Sequence, residues 1–216
     1  LLAPLTGRIR MASPVVNVRR DGIQAHVTVA GQAEETFDEV IFACHSDQAL
    51  AMLEDPSDLE REVLSSVPYK PNKVYLHRDT SLMPRNKAKW ASWNYMDLTP
   101  DGRHDRDICV TYWMNRLQSI DKSKPLFVTL NPPQAPREDL IFGQYDYAHP
   151  VFDSAGMAAQ GKLPAMQGQQ HTHYCGAWTG YGFHEDGLRS GLDVAELLGA
   201  KIPWRDDEMP LADAAE

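Results

Sequence analysis

The chain has 216 residues, 43% hydrophobic and 24% charged, which suits a folded protein with one large core or two modest ones. Its formal net charge of −9 argues against a general nucleic-acid binder, because phosphate binding needs clustered Lys and Arg. No apolar run is long enough to span a bilayer, no secretory signal is visible, and three scattered cysteines (Cys44, Cys109, Cys175) fit a reducing, cytoplasmic compartment better than a disulfide framework.

The first residue is Leu1, so the chain is expected to be the C-terminal part of something longer. Val15 to Val18 and Ala25 to Val29 are β-prone runs flanking Arg20-Asp21-Gly22, a hairpin signal. Val40 to Cys44 is a short apolar run that reads as a buried strand. Ser46 is placed to cap a short helix running to about Leu53. Ser57 and Glu60 form a capping-box pattern for a second helix carrying Leu59, Val63 and Leu64. From Pro68 the texture changes. Strand-like segments at Lys73–His77, Ile108–Met114 and Leu126–Leu130 alternate with Pro, Asn and Asp turns, and three of the five tryptophans fall here. Asp153 is placed to cap a helix through Gln160, with Gly161 as its stop. A last helix is expected from about Asp186 to Leu198, with Leu188, Leu192, Ala195 and Leu198 on one face and Gly199 just past its end. Beyond Trp204 the acidic tail reads as mobile.

This order predicts an α+β chain in which the first and last segments form one core. Residues 1–55 and 166–203 belong to one domain, 56–165 form an inserted mixed-sheet module, and 204–216 are a tail. The stretch from Cys175 to Gly191 reads as strand end, glycine-rich turn and helix start. A helix start offers free N–H groups and a positive dipole end, which suits an anion or an electron-rich ring. Glycine also serves plain turns. His171, His173 and Cys175 alternate, so a strand puts them on one face, where they could ligate zinc with one further ligand; Cys175 serves equally as a small core residue. His184 can touch a ligand or simply build the turn. Glu185 and Asp186 read either as acid/base groups or as helix-start acids, Asp186 also as a cap. Trp90, Trp93, Tyr95, Tyr112 and Trp113 could wall a cavity or fill a core. His45, Ser46 and Asp47 lack a nucleophile-elbow context, which leaves little for a hydrolase reading.

Several segments together carry a resemblance. They are Phe37 to Ala49, Pro71 to His77, Trp90 to Tyr95, Thr111 to Gln118, Phe127 to Pro133 and Cys175 to Gly191. On these the chain resembles the C-terminal two-thirds of an FAD-dependent amine oxidoreductase, in the group that includes monoamine oxidases and phytoene-desaturase-like enzymes. The close match is to the bacterial predicted NAD/FAD-binding oxidoreductases of that group. That family's FAD domain opens with G-x-G-x-x-G after its first strand. Here Gly180 and Gly182 give only G-x-G, so the resemblance implies an incomplete Rossmann-like FAD-binding domain, with the pyrophosphate-cradling half upstream of Leu1.

The resemblance implies FAD as cofactor and a role for each matching residue. Val15 offers its backbone to the adenine. Ala43, Cys44 and His45 run beside the dinucleotide. Gly176 and Ala177, with Trp178, lie near the pyrophosphate and ribityl chain. Glu185, Asp186, Gly187 and Leu188 form the helix start facing the flavin N1–O2 edge. Charge near N1 of reduced flavin is stabilised by a helix N-terminus by ~0.3–1 kcal/mol, which eases hydride acceptance. Lys73 matches a lysine that holds a water near flavin N5, with Tyr75 and His77 on its strand face; its plain reading is a solvated lysine. The implied reaction is hydride removal from a C–N or C–C bond of a small amine, lipid or isoprenoid. Positioning and flavin electronics would carry it, since no strong general base is evident. The rival is a non-catalytic interaction or metal-binding module derived from such a flavoprotein, supported by the His171-x-His173-x-Cys175 strand.

Overall fold

The computed structural model describes residues 3–96 and 109–204. The chain is α+β and divides into two compact units, one of residues 1–68 and 150–216, the other of residues 69–149. The expected acidic tail lies outside the described residues.

The first unit opens with β1 (Val15–Arg20), β2 (Ala25–Val29) and β3 (Glu35–Phe37), an antiparallel sheet in the order β1-β2-β3. Its first turn forms because Asp21 Oδ1 accepts the N–H groups of Ile23 and Gln24, both at 2.9 Å, while Gly22 takes a φ of +82°. β3 is absent from the sequence reading: three residues, Glu-Thr-Phe, with only one half-buried, leave no periodic signal. β4 (Val40–Phe42) leads into α1 (Ser46–Met52). The cap differs from expectation. Ser46 is fully buried inside the helix, and His45 is the N-cap, its N–H donating to the Gln48 side chain at 3.4 Å. α2 (Asp58–Ser65) has the expected capping box, Glu60 N–H to Ser57 Oγ at 3.2 Å and Ser57 N–H to Glu60 Oε2 at 2.8 Å.

The second unit contains β5 (Tyr69–His77), β6 (Trp93–Met96), β7 (Cys109–Trp113), α3 (Met114–Leu117), β8 (Phe127–Leu130) and β9 (Ile141–Pro150). The sheet order is β6-β7-β8-β5-β9. Of the strand expected at 108–114, Ile108 lies outside the described residues and Met114 already begins α3. The ten-residue β9 also escaped the sequence reading, because Gly143 and Pro150 read as breakers and most of its side chains face water. One face of the sheet is dry. There His77 Nε2 donates to Thr129 Oγ1 at 2.7 Å, Thr129 and Thr111 share a bond of 2.8 Å, and the Asp79 N–H donates to His77 Nδ1 at 3.1 Å. The pairing places the proton on Nε2, and burial holds the imidazole below its ordinary pKa. The aromatics divide by face. Trp90 packs edge-on against Trp113 and Phe127, whereas Trp93 and Tyr95 stand exposed, Trp93 edge-on to Tyr112.

The chain returns to the first unit with α4 (Ser154–Gln160), α5 (Leu163–Met166), β10 (Thr172–Tyr174) and α6 (His184–Leu197). Asp153 caps α4 as expected, accepting the Gly156 N–H at 2.8 Å. α6 presents a different face from the expected one. Asp186, Ser190 and Val194 are its buried stripe, while Leu188 and Leu198 are 54% and 44% exposed. Hydrogen bonds explain the choice: Asp186 accepts the N–H groups of Tyr181 and Phe183, and Ser190 Oγ accepts the Gly176 N–H, so this stripe ties the helix to the turn that follows β10.

Candidate functional site

β4 and β10 pair in parallel, Val40 with Thr172, Ile41 with His173 and Phe42 with Tyr174. The rings of Phe42 and Tyr174 stack at 5.4 Å, and the Cys175 N–H donates to the Phe42 carbonyl at 2.9 Å. The two strands therefore end level. Each then enters a loop and a helix, Ala43-Cys44-His45 into α1 and Cys175-Gly176 into α6. The carboxyl ends of parallel strands followed by helix starts form the usual ligand edge of an α/β unit.

The loop after β10 is built from backbone. Gly176 has a φ of +140°, and a Cβ there would meet the Trp178 ring at 3.0 Å and the Cys44 carbonyl at 3.5 Å. Its N–H donates to Ser190 Oγ at 2.9 Å. Gln160 Nε2 donates to the carbonyls of Trp178 and Gly180 at 2.9 and 2.7 Å. Asp186 closes the turn. Its Oδ2 accepts the N–H groups of Tyr181 and Phe183, both at 3.0 Å, and Oδ1 accepts from Arg189 at 2.9 Å. A Cβ on Gly180 would collide with this carboxylate at 2.4 Å. Of the two readings of Asp186, the geometry favours the cap: Phe183 as N-cap has no side-chain acceptor, so the carboxylate three residues on serves its N–H.

The structure thus gathers Ala43, Cys44, His45, Gly176, Ala177, Trp178 and the 185–188 helix start around two adjacent strand ends. Within this group Trp178 is buried and supports the turn, while Ala43, Glu185 and Leu188 are exposed. Burial pushes the Cys44 and Cys175 thiols above their ordinary pKa, which keeps both protonated. Val15 lies in β1, paired with Val29 in the antiparallel sheet rather than in the β4–β10 pair. Lys73 belongs to the other unit. It is exposed, its N–H donates to Asn131 Oδ1 at 3.0 Å, and Tyr75 and His77 beyond it on the strand are buried. His171, in the turn just before β10, and His173, within the strand, converge on one carboxylate: His171 Nδ1 lies 3.3 Å from Glu39 Oε1, and His173 Nε2 lies 3.3 Å from Glu39 Oε2. Cys175 does not complete a ligand set with them, and among the described residues no group of three or more His, Cys, Asp or Glu is arranged to hold a metal ion. A separate cleft of ≈ 550 Å³ runs along α6 between Leu163, Pro164, Gln167, Arg189 and Leu197, and none of the strand-end loop residues 43–45 or 176–178 lines it.

One constellation escaped the sequence reading altogether. Arg20, with its side chain fully buried, donates through both terminal nitrogens to Glu60, at 2.5 and 2.9 Å, and through Nε to Asp55 at 3.1 Å. It also reaches Thr172 Oγ1 at 3.1 Å. Tyr174 Oη donates to Glu60 Oε1 at 2.5 Å. Burial pushes the Glu60 carboxyl up, but the bonds from Arg20 and Tyr174 outweigh it and hold the group at about 2. Burial and the bond to Glu60 push the Tyr174 phenol well above its ordinary value.

Residues 1–141 match the family model of the flavin-containing amine oxidoreductases. No curated protein matches the chain. Among solved structures, the chain is similar to a conjugated-linoleic-acid-producing fatty acid isomerase from P. acnes, at 16% identity and a TM-score of 0.57, over 87% of this chain and 48% of that one. It is similar to cyclohexylamine oxidase from Brevibacterium oxydans, at 14% identity and a TM-score of 0.59, over 92% and 52%. It is also similar to putrescine oxidase bound to putrescine, at 11% identity and a TM-score of 0.59, over 91% and 51%. At these identities the likeness is one of fold, and the chain spans about half the length of each structure.

Proposed function

We infer a flavin-dependent oxidoreductase role for this chain, which belongs to the flavin-containing amine oxidoreductases. The observation that carries the reading is the parallel pairing of β4 with β10, which sets two strand ends and two helix starts side by side. The residues fit FAD. Gly176 supplies backbone without a Cβ at the point where the loop passes the Cys44 carbonyl, and Asp186 is turned back onto its own loop rather than toward a ligand. Ala43, Cys44 and His45 would hold the dinucleotide on one side, and Gly176, Ala177 and the backbone of Glu185 to Leu188 on the other. The chain carries no G-x-G-x-x-G, so its own contribution is to the ribityl and flavin side rather than to a glycine-rich phosphate cradle.

FAD supplies a hydride acceptor when bound. The chain's part is to orient the ring and to place helix-start amides near the edge that gains negative charge. The substrate on this reading is a small molecule, an amine, lipid or isoprenoid, and the resemblance would give Lys73 the role of holding a water. The test is titration of the purified chain with FAD, followed by flavin fluorescence, beside Gly176→Val. Saturable binding by the wild type and none by the variant is expected. Failure of the wild type to bind sinks the reading. Anaerobic bleaching of bound flavin by a panel of amines and unsaturated lipids then sorts the substrate class.

A further inference from the structure

We propose that Arg20, Glu60 and Tyr174 act as a positioning unit that fixes β10, and through it the Cys175–Gly176 loop, in register for the cofactor; the cofactor half rests on the FAD reading above. Tyr174 is the last residue of β10, one step before the loop. It is held in several directions at once. Its hydroxyl donates to Glu60 Oε1 at 2.5 Å, its N–H donates to Gln167 Oε1 at 2.9 Å, and its carbonyl accepts from Gln167 Nε2 at 2.7 Å. Glu60 is itself anchored at the start of α2 by the Ser57 N–H and by Arg20. Arg20, at the end of β1, also donates to Thr172 Oγ1 at the opposite end of β10. One buried ion pair therefore grips both ends of a three-residue strand.

A short two-stranded parallel sheet has weak register of its own. Apolar packing is non-directional and leaves a strand free to slide by a fraction of an ångström, whereas charge-assisted hydrogen bonds fix distance and angle. Buried ion pairs add little stability over apolar side chains of the same volume. What this one adds is geometry at Tyr174, the last strand residue before the Cys175–Gly176 loop.

Tyr174→Phe removes one hydroxyl and leaves Glu60 bonded to Arg20 and to the Ser57 N–H. Two readouts are taken on the whole chain, amide hydrogen exchange resolved by segment and FAD affinity by fluorescence. The expected result is exchange faster by about tenfold, confined to residues 172–180, with FAD affinity weaker by a similar factor. Thr172→Val, which loosens the other end of the strand, should move both in the same direction. Unchanged exchange in 172–180, a uniform rise that includes β1 to β3, or a local rise with unchanged FAD affinity overturns the proposal. A wild-type chain that takes up no FAD overturns the flavin reading and the cofactor half of this one. The exchange arm, which needs no cofactor, then shows separately whether the grip on β10 exists.

Discussion

Glu60 keeps its charge in a place where a lone carboxylate would lose it. The group is 2% exposed, and burial alone would push its pKa up, yet Arg20 and Tyr174 bring it to about 2 from the usual 4.5. A carboxyl whose folded pKa is depressed contributes stability that is complete above the unfolded value and is lost as pH falls through the folded one. Stability of the first unit should therefore decline between about pH 4.5 and about pH 2 in urea titrations. Glu60→Gln should start lower and show a flatter acid limb; an unchanged limb would place the acid sensitivity elsewhere. Tyr174 has the opposite sign: its raised pKa favours the folded state below the ordinary phenol value and withdraws that support at higher pH. Part of this was readable from sequence. Ser57 and Glu60 stand three apart and announce a capping box, and the structure contains it. The partnership of Glu60 with Arg20, 40 residues away, has no local signature, and Arg20 reads only as the flank of a turn. Strand, turn and helix could likewise be read from Cys175 to Gly191, but the inward turn of Asp186 depends on backbone N–H directions that side-chain types do not encode.

At the scale of elements, helix existence was easier to read than helix orientation. α6 follows from its glycine punctuation and helix-forming residues, and Gly199 takes the left-handed φ of +86° expected just past its end. Counting leucines selects the wrong face, because the inward stripe is made of Asp186, Ser190 and Val194. Two of these three are polar and are held by hydrogen bonds to the turn, so hydrophobicity does not mark them. This has a direct consequence in stability. Val194 is 1% exposed, and Val194→Ala should cost about 2 kcal/mol through lost burial and an unfilled cavity. Leu188→Ala, at a side chain 54% exposed, should stay within about 0.5 kcal/mol. Urea midpoints of the two variants check this, and equal costs would return α6 to the leucine-inward orientation. β9 teaches the same lesson for sheets: an edge strand with water on much of its surface lacks the alternation by which strands are recognised.

At the scale of the whole molecule, the pairing that matters most joins β4 to β10 across everything that lies between them in the chain. Composition cannot show such a pairing, since nothing local to either strand names its partner; the order of elements predicted one core from the first and last segments, and the resemblance of both segments to one family named the two strand ends. Each of the two compact units has its own buried set, Val18, Leu64, Tyr174 and Val194 in one, Phe127, His77, Thr111 and Thr129 in the other. Cores that share no residues can lose order separately. Thr129→Val removes the acceptor of the His77 Nε2 proton in a fully buried site, which costs about 1–3 kcal/mol. It should lower the exchange protection of β5, β7 and β8 while leaving β1, β2 and α2 within about 0.5 kcal/mol of wild type. Val194→Ala should do the reverse. If each variant instead lowers protection equally in both units, the chain opens as one cooperative body, and the division by contacts has no counterpart in how the molecule unfolds.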